Sequence, residues 1–437
     1  MRQLNNFRNS LFPCLLGLFA TCTLVAGTEI PGDKQHEPII IEHATIHTVS
    51  GGTLTDASLV FSHGVITGVG KQVTLPPDGK RIDATGLHVY PGIIAANTSL
   101  GLNEIGAVRA TRDAVEVGVV NPNVRAETAY EADSEVIPTI RSNGILLANV
   151  QPEGGLISGM SSVMRLDGWT REDIAVAPRS AMILNWPTMH VVQNWWVTKS
   201  ADEQEKDIAE NLQKVRTLFR EARAYAMALH AGIDTTKRDL RFESMKAVFG
   251  GTMPVIVNAN TQQQINAALD FAKEFDLRII IQGGDEADLV ADRLVAMNVP
   301  VITRQIHSLP PRAESAYDEG YSLPKRLQDA GVTYCIADDG WWQVRSLPYE
   351  AGTAVAFGLN EEQALASITI APAKILGIAD QYGSLEVGKS ATLFISTGNC
   401  LNANTNVVKY AWIDGKAVDV SSKQTKLAEK YRTRYSR

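Results

Sequence analysis

The reading of this 437-residue chain turns on "YPGIIAANTSLGLNEIG", residues 90–106. Residues 92–96 form a short run that follows Pro91 and opens on Gly92, which predicts a buried strand. The run ends in Asn97-Thr98-Ser99, neutral polar residues at a place where an enzyme's strand end would carry acids, bases or metal ligands.

Upstream of this strand, residues 38–83 read as short apolar or alternating runs punctuated by glycine: "IIIEHATIHTVSGGTL", "ASLVFSHGVITGVG" and "GKRIDATG". These predict a small sheet with tight turns. A second cluster of the same kind lies at "GSLEVGKSATLFIS" and "VVKYAWIDGKAV", residues 383–396 and 407–418. Between the clusters, strand-like runs alternate with helical patterns. The runs are "GILLANV", "MPVIVNA", "LRIIIQGG", "VPVIT" and "VTYCIADD"; the helices are expected over 201–229, 261–275, 286–297 and 360–370. In the first of these helices Ile208, Leu212, Val215 and Phe219 fall on one face. Such alternation predicts an α/β fold with a parallel sheet, and the number of units suits a TIM-like (β/α)8 barrel. The expected layout is a barrel over residues 91–383 inserted in a split β-sandwich, 35–90 and 384–420. A basic tail, 421–437, carries six Lys or Arg against Glu429 alone and reads as a solvated terminal helix.

At the N-terminus, Arg2 and Arg8 precede an apolar stretch over 11–26 that gives way to Thr28 and Glu29. This is the shape of a secretory signal over residues 1–26, and it predicts a periplasmic or secreted protein. Its removal takes the formal charge from -7 to -9, since the segment holds two arginines and no acid. An acidic chain of this kind is not expected to bind nucleic acid. Nothing after residue 26 approaches a membrane-spanning run. Two of the four cysteines, Cys14 and Cys22, fall in the signal, so Cys335 and Cys400 imply no disulfide framework.

The ordered series "IIIEHATIHTV", "ASLVFSHGVITGVG", "GKRIDATGLHVYPGII" and, far downstream, "LASITIAPAKILGIADQYGSLEVGKSATLFI" resembles the amidohydrolase superfamily, in particular its imidazolonepropionase-like and cyclic-dipeptidase-like members. The resemblance covers nearly the whole chain after residue 26. It implies hydrolysis of a carbon–nitrogen bond in a small cyclic amide or dipeptide-like substrate, with zinc as the expected cofactor. Two histidines one residue apart are expected at the end of the first barrel strand, where a period of two turns both rings into the barrel mouth. Those places hold Asn97 and Ser99. Histidines expected at the ends of two later strands match Asn258 in "PVIVNAN" and Gln282 in "IIIQGGDEA". A bridging Lys or Glu from an intermediate strand has no clear place in the weakly patterned residues 163–198. The aspartate expected after the last strand, which takes the proton from the attacking water, matches Asp339, or Asp338 if the register slips by one.

Amide and hydroxyl oxygens are poor zinc ligands, so no metal is expected to be held. Without one, Asp339 would have to activate ordinary water, for which a carboxylate is a weak base. His307 in "TRQIHSLPPRAE" follows the seventh strand and joins the candidate binding residues. Trp341-Trp342 is a candidate aromatic wall beside the pocket, and the glycine-rich "QPEGGLISGMSS", residues 151–162, is expected to shape backbone at the mouth. His43, His47 and His63 read as surface or turn residues. The expected activity is therefore a weak or altered amidohydrolase, with a non-catalytic ligand-binding or scaffold protein as the alternative. The partners expected are a small-molecule substrate or ligand and, at most, further copies of the chain.

Overall fold

The computed structural model describes residues 30–233, 238–310, 312 and 314–436. The signal expected over 1–26 and the last residue of the basic tail lie outside the described residues. Among the described residues the strands form two eight-stranded sheets.

The first sheet begins with β1 (Ile39–His47), β2 (Thr53–Ser62), β3 (Val65–Gly70), β4 (Lys80–Asp83) and β5 (His88–Pro91). β1 pairs antiparallel with β2 along one edge, while its other edge is shared by β4 at Ile39 to Glu42 and β5 at Thr45 and Ile46. The module is thus one branched sheet, separate from the barrel sheet. Its forking follows from register shifts in β1 between Ile41 and Ile46, since an irregularity of this kind bends a strand and ends one pairing. Ile41, Leu59, Phe61 and Ile395 are buried in its core.

The second sheet is the barrel. It runs through β6 (Ile93–Thr98), β7 (Ile145–Val150), β8 (Ile157–Arg165), β9 (Ala175–Asn185), β10 (Val255–Ala259), β11 (Ile279–Gly283), β12 (Val301–Thr303) and β13 (Tyr334–Cys335), each paired with the next. All pairings are parallel except those of β8, which runs antiparallel to both neighbours. The sequence pattern predicts a uniformly parallel sheet. The connections into and out of β8, residues 151–156 and 166–174, are too short for the crossover of about a dozen residues that a parallel return needs. β13 and β6 do not pair directly. The gap is bridged by residues 367 and 368, where Ile336 N donates to Ser367 O at 3.1 Å and Ile94 N to Ile368 O at 2.9 Å.

The chain then returns to the first sheet as β14 (Leu393–Ser396), β15 (Val408–Ile413) and β16 (Lys416–Val418), with β14 pairing antiparallel to β5. The turn between β15 and β16 is tied to the barrel by Asp414, which accepts from Tyr382 Oη at 3.0 Å and pairs with Arg165.

Three helices show why the local sequence folds as it does. α1 (Ala201–His230) starts in a capping box between Ser200 and Glu203 and buries Val215, Phe219 and Ala222. α2 (Gln262–Phe275) is capped by Thr261 and Gln264 in the same way. The single helix expected over 286–297 is instead a 3-10 turn, Ala287–Val290, followed by a short helix, Ala291–Ala296. At the far end, α3 (Lys423–Tyr435) buries no residue. No helix of the described residues is long and apolar enough to cross a membrane.

Inside the barrel, Ala96, Ile183, Ile256, Ile280, Ile302 and Cys335 form an apolar layer, completed by Ala371 and Ile375 from the segment beneath. This layer is the floor on which the strand ends stand.

Candidate functional site

Ala337 belongs to the same apolar cluster, and two residues beyond five of its members the strands present polar side chains. Ile183 is followed by Asn185, Ile256 by Asn258, Ile280 by Gln282, Ile302 by Arg304 and Ala337 by Asp339, and all five line one cleft of about 420 Å³. The period of two puts them on the inner face. β6 departs from that period. Its pairing with β7 advances from Ala95↔Ala148 to Thr98↔Val150, three residues against two. This bulge breaks the alternation, and Asn97, Thr98 and Ser99 all line the cleft.

Four of the carboxamides are wired together across the mouth. Gln151 Nε2 donates to Gln282 Oε1 at 2.8 Å, and Gln282 Nε2 donates back to Gln151 Oε1 at 3.0 Å. The same Gln282 nitrogen donates to Asn258 Oδ1 at 2.7 Å, and Asn258 Nδ2 to Asn185 Oδ1 at 2.5 Å. The chain ends on backbone and hydroxyl oxygens: Asn185 Nδ2 reaches Gly155 O and Ser158 Oγ, each at 2.9 Å, and Gln151 Nε2 reaches Ala96 O at 3.4 Å. Each of the four amide oxygens therefore already accepts a hydrogen bond. The intermediate strand expected to carry a bridging Lys or Glu is β9, and its end holds Asn185, level with Asn258.

The charged lining consists of Glu153, Arg304 and Asp339. Arg304 Nη1 reaches Asp285 at 3.4 Å, and burial raises the Asp285 carboxyl above its ordinary range against the pull of that guanidinium. Asp339 is exposed. Among the described residues no three His, Cys, Asp or Glu side chains come together in a group that could hold a metal ion.

Asp338 stands apart. The same alternation that turns Asp339 into the cleft turns Asp338 behind the wall, where it is 1 % exposed and hydrogen-bonds to Glu350. It also accepts from Gly340 N at 2.8 Å. Burial raises its carboxyl, and burial together with the Asp338 charge pushes Glu350 up to about 9. Glu350 accepts from Ile306 N at 2.9 Å, so the buried acid pair fastens the ends of β12 and β13 to each other. Asp338 as a binding residue is corrected accordingly. His307 is corrected as well: it does not line the cleft but meets Thr353 Oγ1 at 2.7 Å on the helix Leu347–Ala356. Trp341 and Trp342 pack against the core, with Arg345 5.1 Å over the Trp342 ring, and form no wall of the cleft. The glycine-rich stretch divides, Gln151 to Gly154 lining the cleft and residues from Ile157 onward forming β8.

Asn185, Asn260 and Arg304 line the cleft and escape the sequence reading, which included Gln151 only as part of the glycine-rich stretch. A signal for Asn185 exists in "AMILN", an apolar run closing on a carboxamide in the same way as "VIVN" and "IIIQ". His47, read as a surface or turn residue, is stacked 4.3 Å from the Tyr90 ring and bonded to His88 Nδ1 at 3.0 Å, at the seam between the two sheets.

Residues 296–418 match the family described as the amidohydrolase family. The chain is 22% identical over 432 aligned residues to amidohydrolase tasK of Hapsidospora irregularis, covering 88% of this chain and 43% of that protein, so it spans less than half of that relative's length. It is 24% identical to an imidazolonepropionase of Pseudomonas aeruginosa strain UCBPP-PA14, covering 80% of this chain and 90% of that one. The crystal structure of an amidohydrolase from Thermotoga maritima MSB8 shares the fold with a TM-score of 0.76 at 22% identity, over 87% of this chain and 99% of that one. The matched segment and these relatives along most of the chain make it similar to the amidohydrolase family, and the barrel with its separate sheet is the fold that it shares with the solved amidohydrolase.

Proposed function

We propose that this protein takes a small carbon–nitrogen compound into the barrel cleft without a transition metal, and that it hydrolyses that compound weakly. The observation that carries this is the carboxamide chain Gln151–Gln282–Asn258–Asn185. Zinc selects imidazole, thiolate and carboxylate, whereas the residues at the strand ends offer amide oxygens that are already engaged with one another. The donor set does not fit the ion. A hard cation would accept oxygens but needs more charge than Asp339 supplies among neutral amides.

In the absence of a metal, the groups of this chain that could act on a substrate are few. Asp339 can accept a proton from water at the mouth, Arg304 can hold an anionic group, and the amide floor can orient a polar ligand. General-base help from one positioned carboxylate contributes about 10²–10⁴-fold, far short of a metal-bound hydroxide. A second reading, a binding protein that does not turn its ligand over, is favoured by the exposure of Asp339 to solvent, because a water-excluding site is what gives such groups their strength. The N-terminal apolar run supports export as the reading of localisation.

Elemental analysis of the dialysed protein, together with hydrolysis assays on cyclic amides and dipeptides with and without added zinc, tests the proposal. The expected result is less than one-tenth of a zinc per chain and a slow hydrolysis that zinc does not raise. One zinc per chain that survives dialysis, or a large activation by zinc, overturns it.

A further inference from the structure

The helix α3 leaves the body of the molecule after its first turn. Ser422 caps it and Thr139 Oγ1 donates to Gln424 Oε1 at 2.9 Å, yet no residue of the helix is buried. At 3.6 residues per turn, Leu427, Tyr431 and Tyr435 fall in one stripe. Their exposure climbs along the helix, 41 %, 50 % and 73 %, so the stripe parts from the body as it runs outward. The Tyr431 and Tyr435 rings lie nearly parallel with centroids 6.3 Å apart, and the Arg434 guanidinium sits 5.8 Å over the Tyr435 ring.

The charge around this stripe is one-signed. Lys423, Lys430 and Arg434 border it on one side and Arg432 on the other, while Glu429 falls on the opposite face. Among the described residues, Lys426 with Asp419 at 3.9 Å is the one ion pair that the cations of the helix make. The helix carries a formal charge of +4 and the whole chain -7, so the remaining residues carry -11. An acidic chain that gathers its cations on one uncovered helix, around an apolar stripe, calls for an anionic partner at that helix alone.

We propose that α3 seats the protein on the surface of an anionic phospholipid bilayer, with Leu427, Tyr431 and Tyr435 at the acyl boundary and the flanking cations on headgroup phosphates. A helix in the interface plane needs an apolar face with Lys and Arg beside it, and the long stems of those residues reach outward while their charges stay with the headgroups. Tyr, apolar in its ring and polar at its tip, is enriched at that depth. The acidic surface of a second copy is the rival partner. Three apolar side chains on a 13-residue helix fall short of the roughly 1,000 Å² that a specific protein interface buries, and such a partner would have to place acids on both sides of the stripe. A bilayer presents phosphate in every direction along its plane.

The test is co-sedimentation of the full chain with vesicles of phosphatidylcholine alone or mixed equally with phosphatidylglycerol, followed by hydrogen exchange of residues 423–435 read by mass spectrometry. The exchange readout is local to α3, so binding through residues 1–26 cannot imitate it. At 0.1 M salt the anionic vesicles are expected to bind about tenfold or more of the chain that neutral ones do, and 0.5 M salt to remove that excess. The amides of α3 should exchange about fivefold or more slowly on the anionic vesicles. Replacing Lys430, Arg432 and Arg434 together by Gln should weaken binding about tenfold or more. Leu427→Ser with Tyr431→Ser, which keeps every charge, should weaken it about fivefold or more. Vesicle binding with α3 exchanging at its free rate overturns the proposal. So does an unchanged affinity in the serine variant, which would make the helix a charged tether that never seats its stripe. Protection of α3 that grows with protein concentration in the absence of vesicles assigns the stripe to a second copy and overturns it as well.

Discussion

Gln282 is the residue on which the cleft depends most. Its amide nitrogen donates to Gln151 and Asn258 and its oxygen accepts from Gln151, so it spends its full donor capacity and half its acceptor capacity inside a site where it is 5 % exposed. Replacing it by alanine removes three bonds and leaves the buried Gln151 amide and the half-buried Asn258 Oδ1 without that partner. The penalty is set by the unpaired partners rather than by the lost pair, since net hydrogen-bond energies are small while an unsatisfied buried group costs about 1–3 kcal/mol. We expect Gln282→Ala to lower stability by about 2–3 kcal/mol, read as a shift in the urea midpoint at constant slope. A loss under about 0.5 kcal/mol would mean that the amides are solvated and the chain of bonds is not a structural unit.

At the scale of elements, β8 carries the departure from a uniformly parallel barrel, and Gly159 is where it bends. The pairing of β8 with β9 shifts register between Ile157 and Gly159, and Gly159 has φ +140, with the place of a Cβ only 2.8 Å from Val124 O. A side chain there meets both a disfavoured backbone conformation and a backbone carbonyl that cannot move aside. Gly86 supplies the contrast: its φ is +74 but nothing lies within 4 Å of the added carbon. Gly86→Ala should therefore cost only the strain of a left-handed alanine, about 1 kcal/mol, and Gly159→Ala clearly more, about 2 kcal/mol or above. Thermal unfolding of the two variants beside the parent decides this. Equal losses would show that the approach of Val124 to β8 relaxes freely, and that the bend in the strand does not depend on glycine.

For the whole molecule, the seam between the sheet module and the barrel sets an acid limit. Burial, with a smaller contribution from the neighbouring His88, pulls His47 down to about 4 from the ordinary 6.5. The folded protein thus keeps His47 neutral over a range in which the unfolded chain protonates it, so stability falls as pH drops from about 6.5 to about 4. The loss over that window is on the order of 3 kcal/mol. Glu350 bounds the other side: raised to about 9, it stays protonated when folded, and its contribution is lost as pH rises from about 4.5 through 9. Urea titrations from pH 4 to 9 should show the acid slope in the parent and a shallower one in His47→Gln. An unchanged slope in that variant would assign the acid loss to other groups. The sequence by itself determined the alternation of strands and helices, the sheet module drawn from both ends of the chain, and the neutral chemistry of Asn97, Ser99, Asn258 and Gln282, because periodicity and residue type are local properties. Only the tertiary structure decided that β8 runs antiparallel, that Asp339 faces the cleft while Asp338 is buried against Glu350, that His307 lies outside it, and that Gln151 and Asn185 complete the row of amides. These depend on connection length, on strand register and on side chains brought together from positions up to 131 apart in the chain, as for Gln151 and Gln282, and a one-residue difference in register exchanges the two faces of a strand.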